Sequence, residues 1–162
     1  MKHTTWMGIA KLVATEESKC ISQKVGAVIV KDNKLMTVAY NGTPSGQPNC
    51  NDVNRWMVGV NGFQDWVSVD AKTAHHEWSL KHEIHAEMNA ILHTSPEQRT
   101  GATLYCTLEP CVTCSILLSG SGVSSVVYEK NYDKTPPEAL ERLTLAGIKV
   151  YQLQNDNLVP KN

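Results

Sequence analysis

From about residue 84 to residue 153 the sequence alternates between short apolar, β-branched runs and segments of helical apolar spacing, and this alternation constrains the fold most. A helix predicted over 84–92 is followed by a strand at 102–107, a helix opened by Pro110 and a strand at 123–128. A last helix at 137–146, closed by Gly147, leads into a strand at 148–153. Such a β-α-β-α-β series forces right-handed crossovers, a mostly parallel sheet and covering helices. Upstream, the apolar run Val25-Gly26-Ala27-Val28-Ile29-Val30, turn residues 31–34 and residues 35–40 predict a hairpin of two buried strands. Trp6, Ile9, Ala10, Val13 and Ala14 recur at helical spacing and predict a first helix over 5–19, with Thr4 or Thr5 as N-cap. The expected architecture is α/β, in three layers: a mixed five-stranded sheet, hairpin plus β-α-β-α-β, sandwiched by helices.

Residues 41–54 carry Gly42, Pro44, Gly46, Pro48 and four Asn, and no clear periodicity returns until about Ala74. The chain therefore reads as a single domain over residues 1–162 with an inserted loop at about 44–80, and a loop this long inside a compact domain is usually functional. With 162 residues, 41% apolar and 19% charged, the composition is that of one folded core and excludes disorder, collagen and coiled coil. Fifteen Lys plus Arg against sixteen Asp plus Glu leave a formal charge of −1, without the basic excess of a nucleic-acid scaffold. No apolar run reaches the length of a bilayer span and the N-terminus lacks a signal pattern, so a cytoplasmic protein with no membrane partner is expected. The five cysteines, Cys20, Cys50, Cys106, Cys111 and Cys114, are then candidates for metal binding or catalysis rather than disulfides, with Cys106 a buried strand thiol by default.

Two short stretches carry chemistry: His85-Ala86-Glu87 where one helix begins and Pro110-Cys111-Val112-Thr113-Cys114 where another begins. Two thiolates and one neutral imidazole suit zinc, and three protein ligands rather than four leave the position a catalytic zinc needs for water. A helix N-terminus favours thiolate over thiol. Glu87 adds a proton carrier, and because His85 and Glu87 do not share a helix face, they converge only in a first turn with the ligand above the helix end. A thioredoxin-like redox pair or half of a zinc ribbon would show a different strand order or a second C-x-x-C.

With these motifs the chain resembles the cytidine deaminase superfamily. Within it, residues 25–30, Tyr40-Asn41-Gly42-Thr43-Pro44-Ser45-Gly46, Asn49-Cys50, Ala74-His75-His76-Glu77-Trp78 and Glu83-Ile84-His85-Ala86-Glu87 resemble deoxycytidylate deaminases of the bacteriophage type. The resemblance implies a cytidine-deaminase-like fold and a hydrolytic reaction, dCMP plus water to dUMP plus ammonia, feeding thymidylate synthesis. It implies His85, Cys111 and Cys114 as ligands of a catalytic Zn²⁺ and Glu87 as the catalytic proton shuttle. Substrate contacts would come from Asn41, Thr43, Pro110, Tyr132 and Lys134, with Asn41 on the sugar 3′-hydroxyl, Tyr132 stacked on the base and Lys134 at the 5′-phosphate. Turn and surface roles compete for Asn41, Tyr132 and Lys134.

The same resemblance implies a second, structural Zn²⁺ on Cys20, Cys50, His75 and Glu83, which would pin the long loop to the core. It further implies an allosteric homohexamer activated by dCTP with Mg²⁺ and inhibited by dTTP, the effector lying between subunits near Lys24, Gly42, Asn89 and Arg99. The loop His93-Thr94-Ser95-Pro96-Glu97-Gln98-Arg99 departs from the family pattern, being shorter than in some phage relatives. Adenosine deaminases acting on tRNA share H-A-E and P-C-x-x-C but need a basic face, and free-cytidine deaminases usually read C-A-E. A zinc-stabilised nucleotide-binding module without catalysis is the alternative from another class, and intact Glu87 argues against it.

Overall fold

A computed structural model describes residues 1–53, 56–60 and 63–161; Asn162, at the end of the terminal segment, lies outside the described residues. The elements run α1 (His3–Glu17), β1 (Gly26–Lys31), β2 (Lys34–Tyr40), α2 (Cys50–Val53), β3 (Met57–Val60), β4 (Phe63–Trp66), α3 (Val69–His82) and α4 (Ala86–Leu92). They continue with α5 (Pro96–Arg99), β5 (Thr103–Leu108), α6 (Val112–Ser119), β6 (Ser125–Lys130), α7 (Glu138–Leu145), β7 (Lys149–Gln154) and β8 (Asn157–Pro160).

The central sheet has strand order β2-β1-β5-β6-β7-β8. β5, β6 and β7 are parallel, as the alternating second half requires, while β1 joins β5 antiparallel and β8 returns antiparallel on β7. Among the described residues the sheet thus has six strands, where five were expected. The additional strand is built by a tight turn with Asn155 and Asp156 at φ 45 and 68°, the left-handed geometry that pairs two strands through a two-residue connection. The β1–β2 turn uses the same device at Asp32 and Asn33, φ 49 and 56°.

Side chains alternate across the parallel strands, so both faces are covered. Val28, Val30, Tyr105, Val127 and Leu153 pack against Trp6, Met7 and Ala10 of α1. On the other face Ala27, Ile29, Leu104, Val126 and Val150 pack against Ala86, Ala90 and Ile91 of α4, Leu118 of α6 and Leu143 of α7. α1 approaches β1 so closely that a Cβ on Gly26 would collide with the carbonyl oxygen of Ala10. Glycine is required there by space alone.

Three expectations are corrected. β2 is not buried: Leu35, Val38 and Tyr40 are 41, 43 and 38% exposed, because β2 is the sheet edge and only its Ala39 is buried. The cap of α1 is Lys2, whose carbonyl accepts from Thr5 N–H at 3.1 Å, so the helix starts before Thr4 and uses no side-chain cap. The segment between β2 and α4 is not loop throughout: it holds α2, the antiparallel β3–β4 pair and α3, which is capped by Ser68 Oγ accepting from Ala71 N–H at 3.0 Å. Among the described residues no helix is long and apolar enough to cross a membrane.

Candidate active site

α4 and α6 present their N-termini to one another, and both motifs sit there. His85 is the N-cap of α4 and Cys111 the N-cap of α6, each with extended backbone. The helix therefore opens at Val112, two residues beyond Pro110, which leaves the Cys111 thiol ahead of the helix end. His85 Nδ1 lies 3.5 Å from Cys111 Sγ and 3.3 Å from Cys114 Sγ. Ligand atoms of the three residues all lie within 4.8 Å of one another, a spacing one tetrahedral ion spans. Placing His85 before the first turn resolves the H-x-E problem: Glu87, in that first turn, stays on the same end of the helix as the imidazole.

The electrostatics suit a metal. Cys111 is pulled down to about 4, first by its hydrogen bond with Cys114 and then by His85, so this thiol is ionised at neutral pH. Cys114 is pushed up, chiefly by Cys111, since the two share one proton; a divalent ion would release it. The hydrogen bond with Cys111 raises His85. Glu87 is 4% exposed, and burial raises its carboxyl above the usual carboxylate range. It does not belong to the ligand cluster.

His85, Cys111 and Glu87 open into a cavity of about 390 Å³, a size that takes a nucleotide-scale ligand. Asn41, Tyr132 and Lys134 line it together with His85, Glu87 and Cys111. Thr43 does not: its hydroxyl is 3.3 Å from Gln47 O and from Asn49 Oδ1 within its own loop. Pro110 is fully buried behind the Cys111 cap. Sequence reasoning missed Glu109, which lines the cavity and accepts from Tyr132 N–H at 3.0 Å, holding the loop after β6 in place. Its position next to Pro110-Cys111 was the available signal. It also missed Lys72 and His76, one turn apart on α3, at the same cavity.

Cys20, Cys50, His75 and Glu83 form a second four-residue cluster with ligand atoms within 4.8 Å of one another. They come from the segment after α1, the start of α2, the middle of α3 and its C-cap. His75 is 3% exposed, its Nε2 has no hydrogen-bond partner among the described residues, and burial lowers its proton affinity, which favours the neutral imidazole a metal takes. Cys20 is pulled down and Cys50 pushed up, each by the hydrogen bond they share. Trp56 and Trp66 flank His75 at 5.5 and 5.3 Å between ring centroids.

The four effector candidates do not gather within one chain. Lys24 Nζ donates to Thr15 O at 2.9 Å beside a separate cavity of about 370 Å³. Gly42 is bridged to Ile84, and Asn89 Nδ2 donates to Tyr40 O at 2.8 Å. Arg99 donates to Thr94 O and Ser121 O at 2.6 and 3.0 Å, which ties its guanidinium to backbone at the far end of α5.

The cytidine and deoxycytidylate deaminase zinc-binding region matches residues 1–130. A deoxycytidylate deaminase of Enterobacteria phage T4 is 39% identical, covering 98% of this chain and 93% of its own. That of Mycobacterium phage D29 is 40% identical over 77% of this chain and 91% of its own. Among solved structures, dCMP deaminase from the cyanophage S-TIM5, in complex with dCMP and dUMP, aligns with a TM-score of 0.68 at 28% identity, over 94% of this chain and 98% of that one. By sequence and by fold, the chain belongs to the cytidine and deoxycytidylate deaminase family.

Proposed function

We propose that the chain hydrolyses dCMP to dUMP and ammonia. The observation that carries this reading is the buried carboxyl of Glu87 in the same cavity as the His85–Cys111–Cys114 cluster. The phage T4 and S-TIM5 proteins supply the substrate by similarity. Zn²⁺ held by His85, Cys111 and Cys114 would supply, when bound, a Lewis acid that makes water acidic at neutral pH. Glu87 takes a proton from the attacking water and gives it to N3 of the pyrimidine as the oxygen joins C4. It then moves the second proton from that oxygen to the exocyclic nitrogen, the C4–N bond breaks and ammonia leaves. Burial suits the carboxyl to this work, because it raises the proton affinity towards the working pH.

Asn41 offers an N–H to the sugar 3′-hydroxyl, Tyr132 a ring to the base and Lys134 a cation to the 5′-phosphate. Lys72 and His76 add further polar groups to that wall. A second Zn²⁺ on Cys20, Cys50, His75 and Glu83 fastens the segment at 44–80 to a single domain spanning residues 1–162. We extend the proposal to regulation: dCTP with Mg²⁺ activates, dTTP inhibits, and the effector sits between copies in a homohexamer. The exposed apolar edge at Leu35, Val38 and Tyr40, beside Asn89, supports an interface there. Supplying dUMP for thymidylate synthesis fits a cytoplasmic setting, where thiols stay reduced.

The test is ammonia release from dCMP, CMP, cytidine and adenosine, with and without dCTP and Mg²⁺. Turnover confined to dCMP and accelerated by dCTP is the expected result. Zinc-loaded protein that turns over none of them would replace the enzyme with a nucleotide-binding module.

A further inference from the structure

Asn41 is 7% exposed and nearly all of its side chain is already committed. Val25 N–H, which can only donate, is bonded to Oδ1 at 2.8 Å, and this fixes which end of the amide is oxygen. Ser18 Oγ–H donates to the same Oδ1 at 2.7 Å and lies 3.0 Å from Asn41 O. Nδ2 donates to Gln23 O at 2.8 Å. One N–H of Nδ2 remains without an acceptor among the described residues, and Asn41 lines the cavity. The residue therefore presents a donor, never an acceptor, to whatever the cavity holds.

Ser18 is the group that completes this arrangement. It is the C-cap of α1 and 1% exposed, and its Oγ also accepts from Cys20 N–H at 3.4 Å. A continuous chain of bonds thus runs from the Cys20 end of the second cluster, through the Ser18 hydroxyl, to the amide of Asn41. A serine at the end of a helix needs no such partner for capping, because its backbone N–H already bonds Ala14 O.

We propose that Ser18 is a positioning residue for sugar recognition: it orients the Asn41 amide so that its free N–H meets the 3′-oxygen of the bound nucleotide. This rests on the dCMP reading above. With Ser18 absent, Oδ1 loses one of two donors, the amide turns more freely, and nucleotide binding weakens while proton transfer at Glu87 does not.

The test compares wild type with Ser18→Ala in kcat and KM for dCMP, and in the inhibition constants of dUMP and of 2′,3′-dideoxyuridine 5′-monophosphate, which lacks the 3′-hydroxyl. KM for dCMP and the dUMP constant should rise roughly fivefold to tenfold. kcat and the constant for the 3′-deoxy analogue should stay within about twofold, by the same hydrogen-bond magnitude. In an Asn41→Ala background, Ser18→Ala should add nothing to either constant. Thermal unfolding and zinc content of the variant separate binding from loss of fold. Equal losses for both inhibitors, or no loss for either, would overturn the role of Ser18 while leaving the deaminase reading intact. Wild type without dCMP turnover would overturn both.

Discussion

His85 Nδ1 lies 3.3 Å from Cys114 Sγ although the residues are 29 positions apart, and the two helix starts that hold them are adjacent on the same face of the sheet. The parallel crossovers make this adjacency. Each returns the chain to the same end of the sheet, so successive helices begin or end on one rim, where α/β sheets place their ligands. The cavity lies at that rim, closed by α3 on one side and the segment after β6 on the other.

The second cluster should be separable from the first. His75→Ala should lose one equivalent of zinc while keeping the one on His85, Cys111 and Cys114, and should lower the unfolding midpoint. A ligand site at a thousand times its dissociation constant stabilises by about 4 kcal/mol, and most of this should disappear. Emission from Trp56 and Trp66, which flank His75, should change on chelation in wild type and not in the variant.

Lys134 should act on the phosphate alone. Lys134→Ala should raise KM for dCMP roughly tenfold or more, the scale of one lost charge-assisted bond, and should leave the inhibition constant of deoxyuridine, which has no phosphate, unchanged. Initial rates at several salt concentrations check this, because the wild-type advantage shrinks as ionic strength rises.

Gly26→Ala should be among the most damaging single-methyl additions in the chain. The new Cβ would meet the Ala10 carbonyl, its carbon at 2.9 Å, and backbone cannot move aside as a side-chain tip does. Separating α1 from β1 should cost about 3 kcal/mol. Denaturant unfolding measures it.

Cys106 is fully buried, and burial pushes its thiol well above the ordinary range. A raised folded pKa favours the protonated state, so its contribution is fully present below the thiol pKa of the unfolded chain and is lost as pH rises through the alkaline range. Unfolding midpoints should fall less steeply above neutrality in Cys106→Ala than in wild type. Native Cys106 should also resist alkylation until the protein unfolds.

Much of this is legible in the amino-acid sequence. The second half announces itself because strands buried on both faces read as continuous apolar runs, and the metal motifs because their ligands fall within one helical turn. α3 was hidden for the opposite reason. Its buried residue is His75 and its cavity-facing residues include Lys72 and His76, so no apolar stripe marks it; the Ser68 cap was the readable sign. β8 is signalled only by Asn155-Asp156, and β2 looks buried in the sequence although its Leu35, Val38 and Tyr40 are exposed at a sheet edge. Thr43 and Pro110 stand where local contacts hold them, which spacing alone does not reveal.

The most direct test of the central claim pairs zinc content with dCMP turnover in wild type and Glu87→Gln. Removing a general acid–base group costs about 10²–10⁴-fold, so the variant should bind zinc as wild type does and lose turnover on that scale. Wild-type turnover in Glu87→Gln with zinc in place would contradict the account.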